Sequence, residues 1–289
     1  MPNPEVYGFF DQATNTISYV VRDPDSAHVA IIDSVLDFDY ASGHTDTRSA
    51  AALADFVKER GWTVDWVLET HVHADHLSAA PFLQDRVGGK VGIGDRITIV
   101  QDTFGKIFNE GTEFQRDGSQ FDQLFREGDT FQIGGLTGKV LHTPGHTPAC
   151  LTYVIGDAAF VGDTLFMPDY GTARCDFPGG SADMLYRSIQ KILTLPDDTR
   201  IFVGHDYLPE DRKDYRWETT VGAQKSSNIH IGSGRSREDF VELREKRDAT
   251  LAAPRLIIPS LQINMRAGHM PPPDESGTSF LKVPLNKLT

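Results

Sequence analysis

Five of the ten histidines sit, with Asp75 and Asp163, in four short motifs. These are His71-Val-His73-Ala-Asp75-His76, Pro144-Gly145-His146-Thr147, Gly162-Asp163-Thr164 and Gly204-His205-Asp206. Imidazole nitrogens and carboxylate oxygens are the donors that zinc and non-haem iron take. His71 and His73, two apart in an extended loop, can face one centre, and Asp75 and His76 are expected to begin the helix that follows. A lone His-x-His is common, and Gly-Asp-Thr or Gly-His-Asp alone is an ordinary turn. The informative feature is that all four occur in order, each just after a strand-like run, because strand ends at one sheet edge gather loops distant in sequence. His28, His44, His142, His230 and His269 stand outside the pattern.

The elements that must position these residues follow from local periodicity. Thr16 to Arg22 and His28 to Val35 are β-branched and aromatic runs separated by Asp23, Pro24, Asp25 and Ser26, which predicts a hairpin. Ala50, Leu53, Phe56 and Val57 share a helical face, with Asp46 or Thr47 as N-cap and Gly61 as stop. Thr63 to Thr70 is strand-like and leads directly into His71, and strand, helix, strand, functional loop is an α/β order. Lys139 to His142, Leu151 to Ile155 and Ala158 to Val161 predict three short strands. Ser181 to Leu195 predicts a helix capped by Ser181 and ended by Pro196. Arg200 to Val203 predicts a last core strand, Arg237 to Leu251 an amphipathic helix, and Pro254 to Pro273 a segment covering an edge of the core.

Composition narrows the function classes. The 289 residues carry 28 Lys and Arg against 41 Asp and Glu, a net charge of −13. That opposes nucleic acid or an anionic membrane as the main partner, since either needs a basic face. Two cysteines, Cys150 and Cys175, are too few for a disulfide framework and fit a reducing compartment. The N-terminal residues do not form a secretory signal, and no apolar run reaches the length of a membrane helix. Cytoplasmic residence is the expectation.

Taken together, the four motifs resemble those of the metallo-β-lactamase superfamily, over roughly residues 13 to 207. The resemblance implies an α/β fold, a four-layer αββα sandwich with a metal site at one edge. Further stretches resemble the persulfide dioxygenases, also called sulfur dioxygenases or ethylmalonic-encephalopathy-protein-like enzymes, in a bacterial branch with a longer C-terminal tail. They are THVHADH from Thr70, TPGHTPACLTY from Thr143, GDTLF from Gly162, Arg174-Cys175-Asp176-Phe177, His205-Asp206-Tyr207 and Asn264-Met265-Arg266-Ala267-Gly268. Residues 1–289 are therefore expected to form one domain, with 208–289 as an extension packed on the core.

The resemblance implies one Fe(II) held by His71, His146 and Asp163, with His73, Asp75, His76 and His205 orienting those ligands and ordered water. It implies oxidation of glutathione persulfide by O2 to sulfite and glutathione, by a homodimer. Spacing alone equally permits two metals, as in glyoxalase II, a dinuclear thioesterase: His71, His73 and His146 for one ion, Asp75, His76 and His205 for the other, with Asp163 bridging. An anionic tripeptide needs local cations in so acidic a chain. Arg174, Tyr207 and Arg266 are the candidate substrate-binding residues. Arg174 can instead brace its loop through Asp176, Tyr207 can simply pack, and Arg266 can serve structure in the tail. Cys175 is expected to point away from the site, where a thiol would oxidise.

Overall fold

A computed structural model describes residues 3–288. Strands β1 (Glu5–Asp11), β2 (Thr16–Arg22) and β3 (His28–Ile32) form an antiparallel meander. The hairpin β4 (Val35–Asp39) and β5 (His44–Asp46) leads into helix α1 (Arg48–Glu59). Strand β6 (Thr63–Leu68) pairs parallel to β3, and the two-residue β7 (Leu77–Ser78) pairs with β4. Helix α2 (Ala80–Val87), β8 (Lys90–Gly94), α3 (Ile97–Ile107) and β9 (Gln123–Phe125) complete a sheet of order β1-β2-β3-β6-β8-β9.

A second six-stranded sheet follows in chain order. It contains β10 (Thr130–Ile133), β11 (Leu136–His142), β12 (Leu151–Ile155) and β13 (Ala158–Phe160). Helix α4 (Ala182–Ile192) then crosses to β14 (Arg200–Phe202), parallel to β13, and β15 (Glu218–Thr220) closes the edge. Helices α5 (Val221–Ser227), α6 (Arg237–Asp248) and α7 (Ile257–Asn264) follow, and the described chain continues without further helix or strand to residue 288.

Side chains alternate between the faces of a strand, and that period builds the four layers. In β2, Ile17, Tyr19 and Val21 enter the core between the sheets with Val140, Tyr153, Phe160 and Phe202. Val20, Val29, Ile31 and Val67 point the other way, against Leu53 and Val57 of α1, Leu83 of α2 and Phe104 of α3. On the far side, Ala159, Val161 and Ile201 pack on Leu185 and Ile189 of α4 and Phe240 of α6. Helix, sheet, sheet, helix is the αββα sandwich. No helix among the described residues is long and apolar enough to cross a membrane.

Several local expectations are corrected. Thr47 stands at the N-cap of α1 without a side-chain cap, and Asp37 of the hairpin accepts from Ser49 N at 2.9 Å instead. Asp75 and His76 do not open a helix, because β7 intervenes and α2 begins at Ala80. The segment expected only to cover an edge contains α7, whose Pro259 lies in the first turn, where a missing N–H costs nothing. Ser181 caps α4 as predicted, accepting from Met184 N.

Helix α6 carries a fully buried guanidinium. Arg244 pairs with Asp248 and donates to Thr172 O at 3.3 Å, while Asp248 accepts from Cys175 N at 2.9 Å. The helix thus braces the loop that runs from Thr172 to Asp176. Removing one partner of a buried pair leaves an uncompensated charge. Arg244→Met is expected to destabilise the fold by about 3–5 kcal/mol, read as a lowered urea midpoint. Combining it with Asp248→Leu should recover part of the loss.

Candidate metal centre

Each motif begins where a strand stops. β6 delivers residues 69–76, β11 delivers His146, β13 delivers Asp163 and β14 delivers His205. The loops are stitched to one another by backbone bonds: Leu151 N to Thr70 O at 2.8 Å, Ile17 N to Gly204 O at 2.9 Å and Ser181 N to Gly145 O at 2.9 Å. Two glycines are required here. Gly162 has φ +48, and a Cβ there would overlap Thr70, while one on Gly145 would overlap the backbone of Leu185 in α4.

The histidine rings share a polarity. His71 Nδ1 lies 3.0 Å from Thr70 Oγ1, which donates its own proton to Asp33 Oδ2, so Nδ1 is the donor. His146 Nδ1 donates to Arg174 O at 2.7 Å, His76 Nδ1 to Leu77 O at 3.1 Å and His205 Nδ1 to Asn15 O at 3.2 Å. Each of these rings then turns its Nε2 inward. Nε2 of His71, His76 and His205, with Asp163 Oδ1 and Asp75 Oδ2, are buried without a hydrogen-bond partner. Buried polar atoms are normally paired, so bare lone pairs converging on one space fit a metal ion.

His73 is reversed. Its Nε2 faces Asp33 Oδ1 at 3.1 Å and Glu69 Oε2 at 3.3 Å, and Nδ1 is the bare nitrogen. Among the described residues three sets of ligand-capable atoms each lie within 4.8 Å: His71, His146 and Asp163; His73, Asp75 and His205; and Asp33, Glu69 and His73, the last already joined through the His73 Nε2 contacts. His146 Nε2 approaches Asp163 Oδ2 to 3.6 Å.

Electrostatics differ between the rings. Burial, then His73 and His146, hold His71 well below the ordinary imidazole range. Burial likewise takes His76 down to about 3. Burial also works against a charge on His73, but Asp33 and Glu69 outweigh it and raise its pKa well above normal. At His205, burial is again opposed, here by Asp163 and Asp75, and the pKa rises.

Beside this cluster lies a cavity of about 790 Å³ whose walls include His146, Asp163, Phe166, Phe177, Tyr207 and Arg174. The volume suits a small organic ligand. Tyr207 stacks on His205, with ring centroids 5.6 Å apart, and faces the cavity beside Tyr170. The Arg174 guanidinium is gripped by both oxygens of Asp176, each at 2.6 Å, and donates to Ala252 O at 2.6 Å. It braces its loop. Arg266 is placed elsewhere: it pairs with Glu110 at 2.8 Å, lies 4.4 Å from the Phe114 ring centroid and is no part of the cavity wall. Cys175 is buried, and its thiol donates to Asp248, which with burial pushes its pKa to about 12.

Three positioning residues lie outside the histidine motifs. Asp33 holds Thr70 and His73, Glu69 accepts from Ser78 Oγ, and Asn264 reaches the metal loop from α7. The Asn264 carboxamide donates to His73 O at 2.9 Å and His76 O at 2.7 Å, and accepts from Ser78 N at 2.8 Å. Its signal was the tail motif, read for Arg266 and not for its asparagine. Asn264→Ala is expected to lower metal affinity about 10- to 100-fold by freeing two ligand-loop carbonyls, measured by competition with a chelator.

The Metallo-beta-lactamase superfamily pattern matches residues 13–205. A probable metallo-hydrolase of Burkholderia pseudomallei is 55% identical, over 98% of this chain and 99% of that protein. Glyoxylase B2 of Dictyostelium discoideum is 46% identical, over 98% and 97%. The mitochondrial persulfide dioxygenase ETHE1 of Bos taurus is 30% identical, over 91% and 89%. The crystal structure of ETHE1 from Myxococcus xanthus superposes with a TM-score of 0.73 at 30% identity, covering 92% of this chain and 100% of that one. The matched pattern spans the very loops that gather the histidines, and the chain belongs to the metallo-beta-lactamase superfamily.

Proposed function

We propose that this chain is an iron-dependent persulfide dioxygenase that converts glutathione persulfide, O2 and water to glutathione and sulfite. The observation that carries the reading is the composition of the first ligand set. His71, His146 and Asp163 group without His73, which falls instead with Asp75 and His205. Two histidines and one carboxylate are the donors of non-haem Fe(II) oxygenases, which leave positions open for a second ligand and O2. The 30% likeness to ETHE1 over nearly the whole chain supports the same reading.

When bound, iron supplies the redox chemistry that lets O2 accept the electrons given up by the outer sulfur. The chain's own residues hold and shield the reactants. Thr70 and the Arg174 carbonyl fix the tautomers of His71 and His146, so that each presents a lone pair. Phe166 and Phe177 line the cavity and limit water beside the ligand set. Tyr207 offers its hydroxyl to a bound thiol carrier from the same wall. His73, Asp75, His76 and His205 orient the ligands and ordered water.

A second reading, a dinuclear thioesterase of glyoxalase II type with two zinc or mixed metals, rests on the second set, His73, Asp75 and His205. The names of the metallo-hydrolase and glyoxylase relatives favour it.

Elemental analysis of protein purified without added metal separates the two. The dioxygenase reading expects about one Fe per chain, with O2 uptake and sulfite formation on addition of glutathione persulfide. Two zinc ions per chain and hydrolysis of S-lactoylglutathione without O2 would overturn it. Asp163→Asn removes the anionic ligand of the first set, and iron content and O2 uptake should then collapse together while the melting temperature of the protein stays measurable.

A further inference from the structure

The cavity wall beside the ligand set carries four arginines from the second half of the chain: Arg174, Arg244, Arg247 and Arg255. Two are already neutralised, Arg174 by Asp176 and Arg244 by Asp248. Arg247 and Arg255 are different. They flank the turn between α6 and α7, both are exposed, and neither has a salt-bridge partner among the described residues. Arg255 lies 5.9 Å from the ring centroid of Tyr40 across the cavity mouth. Of the acidic lining residues, Asp37 accepts from Ser49, and Asp39 from Ala41 N and Ser42 N.

The turn is also held to the metal side. Arg174 donates to Ala252 O, between the two free arginines, and its own carbonyl fixes His146. A chain of net charge −13 that keeps two guanidinium groups without ion-pair partners, among the described residues, over a cavity that reaches His146 and Asp163 has the requirements of an anion receptor. Guanidinium binds carboxylate bidentately and retains its charge at any working pH.

We propose that Arg247 and Arg255 form a carboxylate-recognition site, which selects thiol carriers bearing carboxylates and holds them with sulfur directed toward the ligand set. The proposal rests on the persulfide reading for the identity of the carrier, glutathione, and not for the existence of the site.

The test is calorimetric titration of the purified, metal-containing protein with glutathione and, separately, with 2-mercaptoethanol, which has a thiol and no carboxylate. Arg247→Gln and Arg255→Gln should each weaken glutathione binding about tenfold, with additive loss in the double variant. Binding of 2-mercaptoethanol and the melting temperature should not change. Wild-type glutathione affinity in the double variant would overturn the proposal, as would an equal loss for 2-mercaptoethanol, or no glutathione binding by the wild type. If glutathione binding depends on both arginines while the wild type takes up no O2 with glutathione persulfide, the recognition site stands and the dioxygenase reading alone falls.

Discussion

The metal loops depend on one buried carboxylate. Asp33 directly follows β3 with φ +53, buried, and it accepts from Thr70 N at 2.7 Å, Thr70 Oγ1 at 2.8 Å and His73 Nε2 at 3.1 Å. A carboxylate so enclosed is costly unless every lone pair finds a donor. Burial therefore opposes its charge, and His73 with the Thr70 donors holds its pKa down nonetheless. Satisfying Asp33 fixes where residues 70–73 run, and the Thr70 hydroxyl passes the constraint to the His71 ring. The order of the site is thus a consequence of solvating one charge without water.

The same logic extends outward through oxygen acceptors. His146, His76 and His205 are oriented by backbone carbonyls contributed by Arg174, Leu77 and Asn15. These acceptors come from three separate segments, so the ligand set is only as well placed as those segments are. Gly162 and Gly145 permit the close approaches, Tyr153 donates to Glu69 O at 2.9 Å from inside the sandwich, and Tyr19 donates to Val203 O at 2.6 Å. The inter-sheet core and the site are therefore one mechanical unit: aromatic side chains that fill the sandwich also hold the strand ends.

Much of this was legible because its determinants are local. Alternation in Thr16 to Arg22, the helical face from Ala50 to Val57, Ser181 before α4, and His or Asp at strand ends are read within a few residues. The positioning residues are not. Asp33 closes the apolar run HVAII and meets Thr70 and His73, 37 and 40 residues on. Asn264 sits in an apolar helix and meets residues 188 and 191 positions earlier. A single polar residue in an apolar segment gives no periodic signal, and its partner is chosen by tertiary packing. A proline masks a helix in the same way: Pro259 would break a helix interior, but it lies in the first turn of α7. Arg266 stands out by its place in the tail motif, whereas Glu110, which decides its role, lies 156 positions earlier and is brought to it by the fold.

The C-terminal stretch is more than cover. Helix α7 sends Asn264 to the ligand loop, Ala252 receives Arg174, and Asp248 receives the Cys175 amide, so three contacts tie this stretch to two different metal loops. Each contact is polar and each uses a backbone group on at least one side, which makes it specific in register and indifferent to hydrophobic packing. A superfamily whose ligand motifs end at His205 can vary the chain beyond that point freely only if nothing there supports the site. Here the support is direct, so the tail and the metal loops must change together: a different tail would leave the carbonyls of His73 and His76 without donors and Arg174 without its second anchor. That coupling gives a physical reason for the tail motif and the ligand motifs to occur on one chain.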